Sequence, residues 1–194
     1  MQSGGRIAKR VAGCLLATVC SCACAEVTSG DSVEHYSIRG ASDADLRREM
    51  NAKGPSGAGG RRFDGHTRWN ISWRYTYRED GGTCRINTVT TDVKVVMALP
   101  EWADERAAPA RLQARWREYV AALTVHENGH RANGIDAARE IDRGISALPA
   151  QANCSAMGNT ANALGSQIIR KYNERDLDYD RSTEHGRTQG ARFP

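Results

Sequence analysis

Between Val125 and Asp136 the chain reads VHENGHRANGID, with His126 and His130 four positions apart and Glu127 beside the first. On an α-helix, four residues bring the chain back to nearly the same face, about 40° round and about 6 Å along. Two imidazoles so placed converge on one ion at roughly 2.0–2.1 Å. Glu127 falls on the flank of that face, where it can take a proton from a water on the ion without being a ligand. H-E-x-x-H is a zinc signature for this reason. The bland reading makes the histidines satisfied core residues and Glu127 a solvated helix partner. Against it stands the apolar, small-residue run AALTVHENGH, where a glutamate between two histidines is costly unless a divalent cation balances it.

A catalytic zinc needs a third protein ligand and an open position for water. Asp136 stands at the metzincin spacing, six residues after His130, but the accompanying glycine is displaced to Gly134 and no methionine turn follows. Glu140, on an unbroken helix, lies about 15 Å along the axis from His130 and cannot reach. His185 sits in YDRSTEHG, after the last helical pattern, where the chain is free to fold back. His185 is therefore the expected third ligand of a single zinc ion. Asp136 comes second, followed by Asp180, Glu184, His66 and His35. Tyr179 is a candidate oxyanion donor, and equally a core or capping aromatic.

The elements that must position these groups are partly legible. In HTRWNISWRYTYR, Trp69, Ile71, Trp73, Tyr75 and Tyr77 alternate with polar residues, the period of a strand with one wet face. EDGG reads as a hairpin turn. CRINTVTTDVKVVMAL returns as a long strand with Val89, Val93, Val95 and Met97 in phase. The aromatic stripe faces a core more readily than it forms a ligand platform. Upstream, VEHYSIRG has strand character, and SDADLRREM offers Ser42 as the N-cap of a short helix through Leu46 and Met50.

After Pro109 the pattern is helical. Leu112, Trp116, Tyr119 and Leu123 lead into the histidine face, and Asn133-Gly134 either caps this helix or lies within a longer rod. IDAAREIDRGISAL is amphipathic, and a further helix runs through Met157, Ala161, Leu164, Ile168 and Tyr172. The tail RSTEHGRTQGARFP is polar and aperiodic. An edge strand beside the histidine helix would align an extended peptide by β-addition, with Cys84 to Leu99 a candidate.

The N-terminus orders a basic segment (Arg6, Lys9, Arg10), an apolar run and Ala-Cys-Ala, which reads as a signal peptide over residues 1–25. VAGC at Val11–Cys14 leaves lipid anchoring as the lesser reading. Cleavage would take the net charge of +4 to +1, because all three of those cations leave and every acidic residue lies from Glu26 onward. That balance gives no electrostatic reason to expect nucleic acid, and no transmembrane segment is expected after cleavage. The six cysteines fall to Cys84 and Cys154, a pair that in an exported protein forms one disulfide, typically adding about 2–4 kcal/mol.

Taken together, Tyr36 to Gly40 (YSIRG), HTRWNISWRY, the H-E-x-G-H helix, the single Cys154 and Y-D-x-x-T-x-H-G resemble a family of predicted secreted bacterial zinc-dependent proteases. The resemblance covers about Tyr36 to Gln189. It implies an α+β, zincin-like domain over residues 26–194, an N-terminal antiparallel hairpin or sheet packed on an active-site helix with further helices behind. His126, Glu127 and His130 match its helix motif, and Asp180, Thr183 and His185 its terminal one. The expected function is a secreted or periplasmic zinc endopeptidase acting on peptide or protein substrates, with activated water as nucleophile and Glu127 as general base. The competing expectations are a non-catalytic, metal-stabilised envelope binding protein and a zinc amidase acting on cell-wall peptides.

Overall fold

A computed structural model describes residues 26–57 and 60–194; the expected signal peptide lies outside them. The fold is α+β. Strand β1 (Glu26–Ile38) leads to helix α1 (Asp43–Lys53), then to strands β2 (His66–Asp80) and β3 (Thr83–Trp102) and to two long helices, α2 (Ala110–Ser146) and α3 (Cys154–Thr183). Ser42 caps α1 as expected, its hydroxyl accepting from the Asp45 amide, and Leu46 and Met50 are its buried residues. Among the described residues no helix is long and apolar enough to cross a membrane.

The sheet has the order β1-β3-β2, with β2 antiparallel and β1 parallel to β3. Gly81 and Gly82 make the hairpin turn with φ of +56° and +78°, the left-handed pair that a two-residue turn between twisted strands requires. Trp69 lies opposite Val95, Ile71 opposite Val93 and Trp73 opposite Thr91, so the aromatic stripe and the valine stripe share the face that meets the helices. The long strand expected as a possible edge is the central one. Both of its sides are already hydrogen-bonded, and the free edges belong to β1 and β2.

Helix α2 is one unbroken rod of 37 residues, about 55 Å long, and Asn133-Gly134 lies within it. Continuity has a packing cause. A Cβ on Gly134 would stand 2.6 Å from Trp69 Cγ, and one on Gly165 of α3 would stand 2.5 Å from the Trp73 ring. Glycine lets the helices close onto the indoles. Two apolar clusters result: Leu112, Trp116, Tyr119 and Leu123 of α2 with Ile38, Leu46, Met50 and Leu99, and further along Ala138, Ile141 and Ile145 with Ile71, Val93 and Ile168. His126, Glu127 and His130 occupy the stretch of α2 between them. Cys84 and Cys154 are joined as a disulfide, tying the start of β3 to the start of α3. The polar tail docks: Phe193 is buried against Trp116 and Tyr119, and Arg47 donates to its carbonyl.

Candidate metal centre

His126, Glu127 and His130 are 3%, 3% and 8% exposed. The rings of His126 and His130 lie edge to face, 4.9 Å between centroids. Each turns Nδ1 away from the cleft to a fixed partner. His126 Nδ1 lies 3.0 Å from Gln189 Oε1, and His130 Nδ1 lies 3.1 Å from Asp176 Oδ1. Both Nε2 atoms are left facing Asp180, whose Oδ1 stands 3.2 Å from each. The three residues offer ligand atoms within 4.8 Å of one another and could hold a metal ion.

The donor set passes a simple test of fit. Atoms bound tetrahedrally at about 2.0–2.1 Å are separated by about 3.3–3.4 Å, and two of the three separations already have nearly that length. Carboxylate or amide oxygens on the outer ring nitrogens are the usual means of orienting ligating histidines.

Asp176 and Asp180 come from the last turns of α3 at the same four-residue spacing that α2 uses for its histidines. Asp176 is shared, since it also accepts from Asn133 Nδ2 and Trp69 Nε1. Beyond Thr183 the helix unwinds through Glu184, His185 and Gly186, all with φ between +52° and +81°. Two non-glycine residues in the left-handed region cost about 1–3 kcal/mol each, the kind of strain that accumulates at functional sites. Gly186 is required twice over, by its φ and because a Cβ there would meet His126 Cγ at 2.9 Å.

His185, the ligand expected from the sequence, reaches this place. Its Nδ1 lies 3.3 Å from Asp180 Oδ1, with the side chain 45% exposed. It is absent from the tight three-residue group. Asp136 is elsewhere, on the far side of the helix turn with Arg139. Glu140 pairs with Lys171 and Tyr172, out of reach as expected. His35 is exposed on β1 and Glu184 pairs with Arg187. His66 lines the cleft, where burial and the nearby His130 lower its pKa. Tyr179 stacks on the His126 ring at 5.0 Å and donates to the His126 carbonyl. That hydroxyl is spent on holding α2, and Gly129 is the gap the Tyr179 ring fills.

Glu127 turns Oε2 to the Thr67 hydroxyl, which donates at 2.7 Å. Its Oε1 lies where a Cβ on Gly65 would come within 2.7 Å. Neither Thr67 nor Gly65 carries a motif that would single it out in the sequence. Asp176 and Asp180 do, in their spacing. Burial raises the pKa of Glu127, opposed by the Thr67 bond and the two histidines. For His130, burial opposes the charge, but the bonds to Asp176 and Asp180 outweigh it and raise the pKa to about 10. Asp180 is the reverse: burial opposes its charge, and its bonds to His126 and His130 lower its pKa well below the usual carboxylate range.

His126, Glu127, His130, Asp180 and His185 line a cleft of about 380 Å³ that Arg61, Arg62, Phe63, Gly65 and His66 also line. No curated protein and no solved structure matches the chain. A family described as "Bacterial protein of unknown function (DUF922)" matches residues 33–186. Because that span takes in nearly all of the sheet, both long helices, the His126–His130 pair and the Asp180–His185 turn, the chain belongs to this bacterial family.

Proposed function

We propose that the chain is a zinc-dependent endopeptidase of zincin-like fold, exported from the cell, with His126, His130 and Asp180 as the metal-holding residues and Glu127 as the general base. One observation carries this: two buried imidazole nitrogens at 3.2 Å from a single carboxylate oxygen, with a buried glutamate one residue from the first histidine. Zinc bound there would supply Lewis acidity, lowering the pKa of a water and polarising a carbonyl. The chain's residues supply the rest. Glu127, raised by burial and oriented by Thr67, accepts the water proton on the oxygen that faces Gly65 and passes it to the departing amide nitrogen. His66, directly after Gly65, begins β2, an outer strand, so a peptide laid along that edge would run past Glu127.

This reading takes Asp180 as third ligand and places His185 beside it as a hydrogen-bond partner, where the sequence pointed to His185. The 3.3 Å between His185 Nδ1 and Asp180 Oδ1 also favours a second reading. Were His185 to join as a fourth ligand, the site would be closed and the metal structural. Metal content and peptide cleavage across three variants separate the two. The peptidase reading expects one zinc per chain, lost in Asp180→Ala and kept in His185→Ala. Glu127→Gln should keep the zinc and lose cleavage by about 10²-fold or more. Zinc held by Glu127→Gln and the parent alike, with no turnover across a peptide library, supports the structural metal.

A further inference from the structure

The cleft is not electrically balanced, and the imbalance lies on one wall. Arg47 is bound through one nitrogen to both oxygens of Asp64 at 2.8 Å, so that pair cancels. The carboxylates of Glu127 and Asp180 would be balanced by a divalent ion held at the histidines. Arg61 and Arg62 are left. Among the described residues neither has a carboxylate within ion-pair distance. Arg61 lies over the Phe63 ring, 5.2 Å from its centroid. Arg62 donates from Nη1 to the Gly54 carbonyl at 2.6 Å, and among the described residues its other guanidinium donors have no partner.

Their position relative to the site is set by Phe63. Its ring lies 6.0 Å from the His185 ring and 6.2 Å from the His66 ring, and His185 touches Asp180. Arg61 thus stands one aromatic layer out from the metal-holding residues, and Arg62 lines the same cleft. Backbone bonds keep the segment in place: Gly57 N–H donates to Arg61 O at 2.8 Å and Phe63 N–H to Pro55 O at 3.0 Å. A Cβ on Gly57 would overlap the Phe63 ring, so that ring has one seat.

We infer that Arg61 and Arg62 form an anion subsite that selects peptides carrying a carboxylate near the bond to be cut. The inference rests on the peptidase reading for what is cut, and on the wall alone for what is bound. A planar guanidinium offers paired donors that match a carboxylate, and one stacked on an aromatic ring is oriented in advance. The residues from Glu26 onward sum to only +1, so the attraction is local to the cleft and is not a property of the whole surface.

The test separates binding from cleavage. Zinc-loaded Glu127→Gln protein is titrated, by fluorescence anisotropy, with amidated peptides identical except for one Glu, Gln or Lys, and with the Gln peptide as a free acid. The Glu peptide should bind about tenfold more tightly than the Gln peptide, and the preference should shrink with added salt. Arg61→Ala and Arg62→Gln, both at exposed positions, should each reduce it, and the double variant should abolish it. A gain for the free acid would identify the chain terminus as a second source of the same carboxylate. Equal binding of Glu and Gln peptides, or a preference intact in the double variant, overturns the subsite. If the preference holds while the parent protein cuts none of the peptides, the peptidase reading fails and the subsite stands. Cleavage of Glu and Gln peptides with equal binding would have the opposite meaning.

Discussion

His130 is held by a carboxylate on each ring nitrogen, Asp176 on Nδ1 and Asp180 on Nε2. In the absence of metal that arrangement favours the imidazolium, and the pKa is raised to about 10. In the proposed metal centre a proton and the ion would therefore compete for the same nitrogen. The unfolded value is about 6.5, so the folded state binds the extra proton between about pH 6.5 and 10. Stability from this pair is fully present below 6.5 and is lost as the pH rises toward 10. The lowered pKa of Asp180 is the same interaction seen from its partner, fading as the pH falls below the ordinary carboxylate value, and it is counted once. The metal-free protein should therefore lose unfolding free energy between pH 6.5 and 10, and His130→Gln should flatten that dependence in chemical denaturation. Near pH 7.5, zinc uptake should release about one proton from His130 per ion, measurable by calorimetry in buffers of different ionisation enthalpy. Stability that climbs across the same window would contradict the assignment.

At the scale of elements, glycine positions set how closely helix and sheet approach. A glycine inside a helix costs about 1 kcal/mol relative to alanine, and α2 carries three, at positions 129, 134 and 144. Gly134 faces the root of Trp69: an alanine methyl there would stand 2.8 Å from Trp69 Cβ and 2.6 Å from its Cγ, and a side-chain root cannot swing aside. Gly144 faces the ends of flexible side chains, Leu164 Cδ2 at 3.1 Å and Ile168 Cδ1 at 3.7 Å. The same substitution should therefore act in opposite directions within one helix. Gly134→Ala should lose about 1–2 kcal/mol, overpacking exceeding the propensity gain. Gly144→Ala should be neutral or gain up to about 1 kcal/mol. Urea denaturation of the two variants compares them directly, and a stabilised Gly134→Ala would show that Trp69 does not hold the helix at this distance.

Across the whole molecule, the C-terminal segment links core and site. Phe193 packs on Trp116 and Tyr119, and four residues earlier Gln189 meets His126 Nδ1 at 3.0 Å. Arg47 joins Phe193 O to Asp64, and Asp64 in turn accepts from Tyr119 at 2.5 Å. Phe193→Ala should destabilise by about 3 kcal/mol, near the low end for a buried phenylalanine. It should also weaken zinc binding by about 10–100-fold, the usual effect of losing an outer-shell partner, although Phe193 is not itself at the centre. Competition with a chromophoric chelator reads the second effect and denaturation the first. Unchanged zinc affinity in a destabilised variant would mean that the tail supports the core without orienting His126.

Local rules were enough for every feature that repeats within one element. The period of two in Trp69 to Tyr77, the Ser42 cap, the paired glycines of the hairpin and the shared face of His126 and His130 all follow from composition and spacing; the Cys84–Cys154 pairing, though it joins distant elements, followed from there being only two cysteines after residue 25. What depended on contact between distant segments was not legible. Gly134 reads equally well as a cap or as part of a rod until Trp69 is known to lie against it. The aperiodic tail gives no sign that Phe193 will dock. Which of His185, Asp136 and Asp180 lies against the two histidines depended on the crossing of α2 and α3, because helical spacing fixes which side chains share a face and says nothing about which face of another helix they will meet. That meeting is decided where the indoles fill the glycine gaps, which seats α3 against the sheet and α2 with Asp180 Oδ1 3.2 Å from both Nε2 atoms; the left-handed turn at residues 184–186 then carries the chain on past His126.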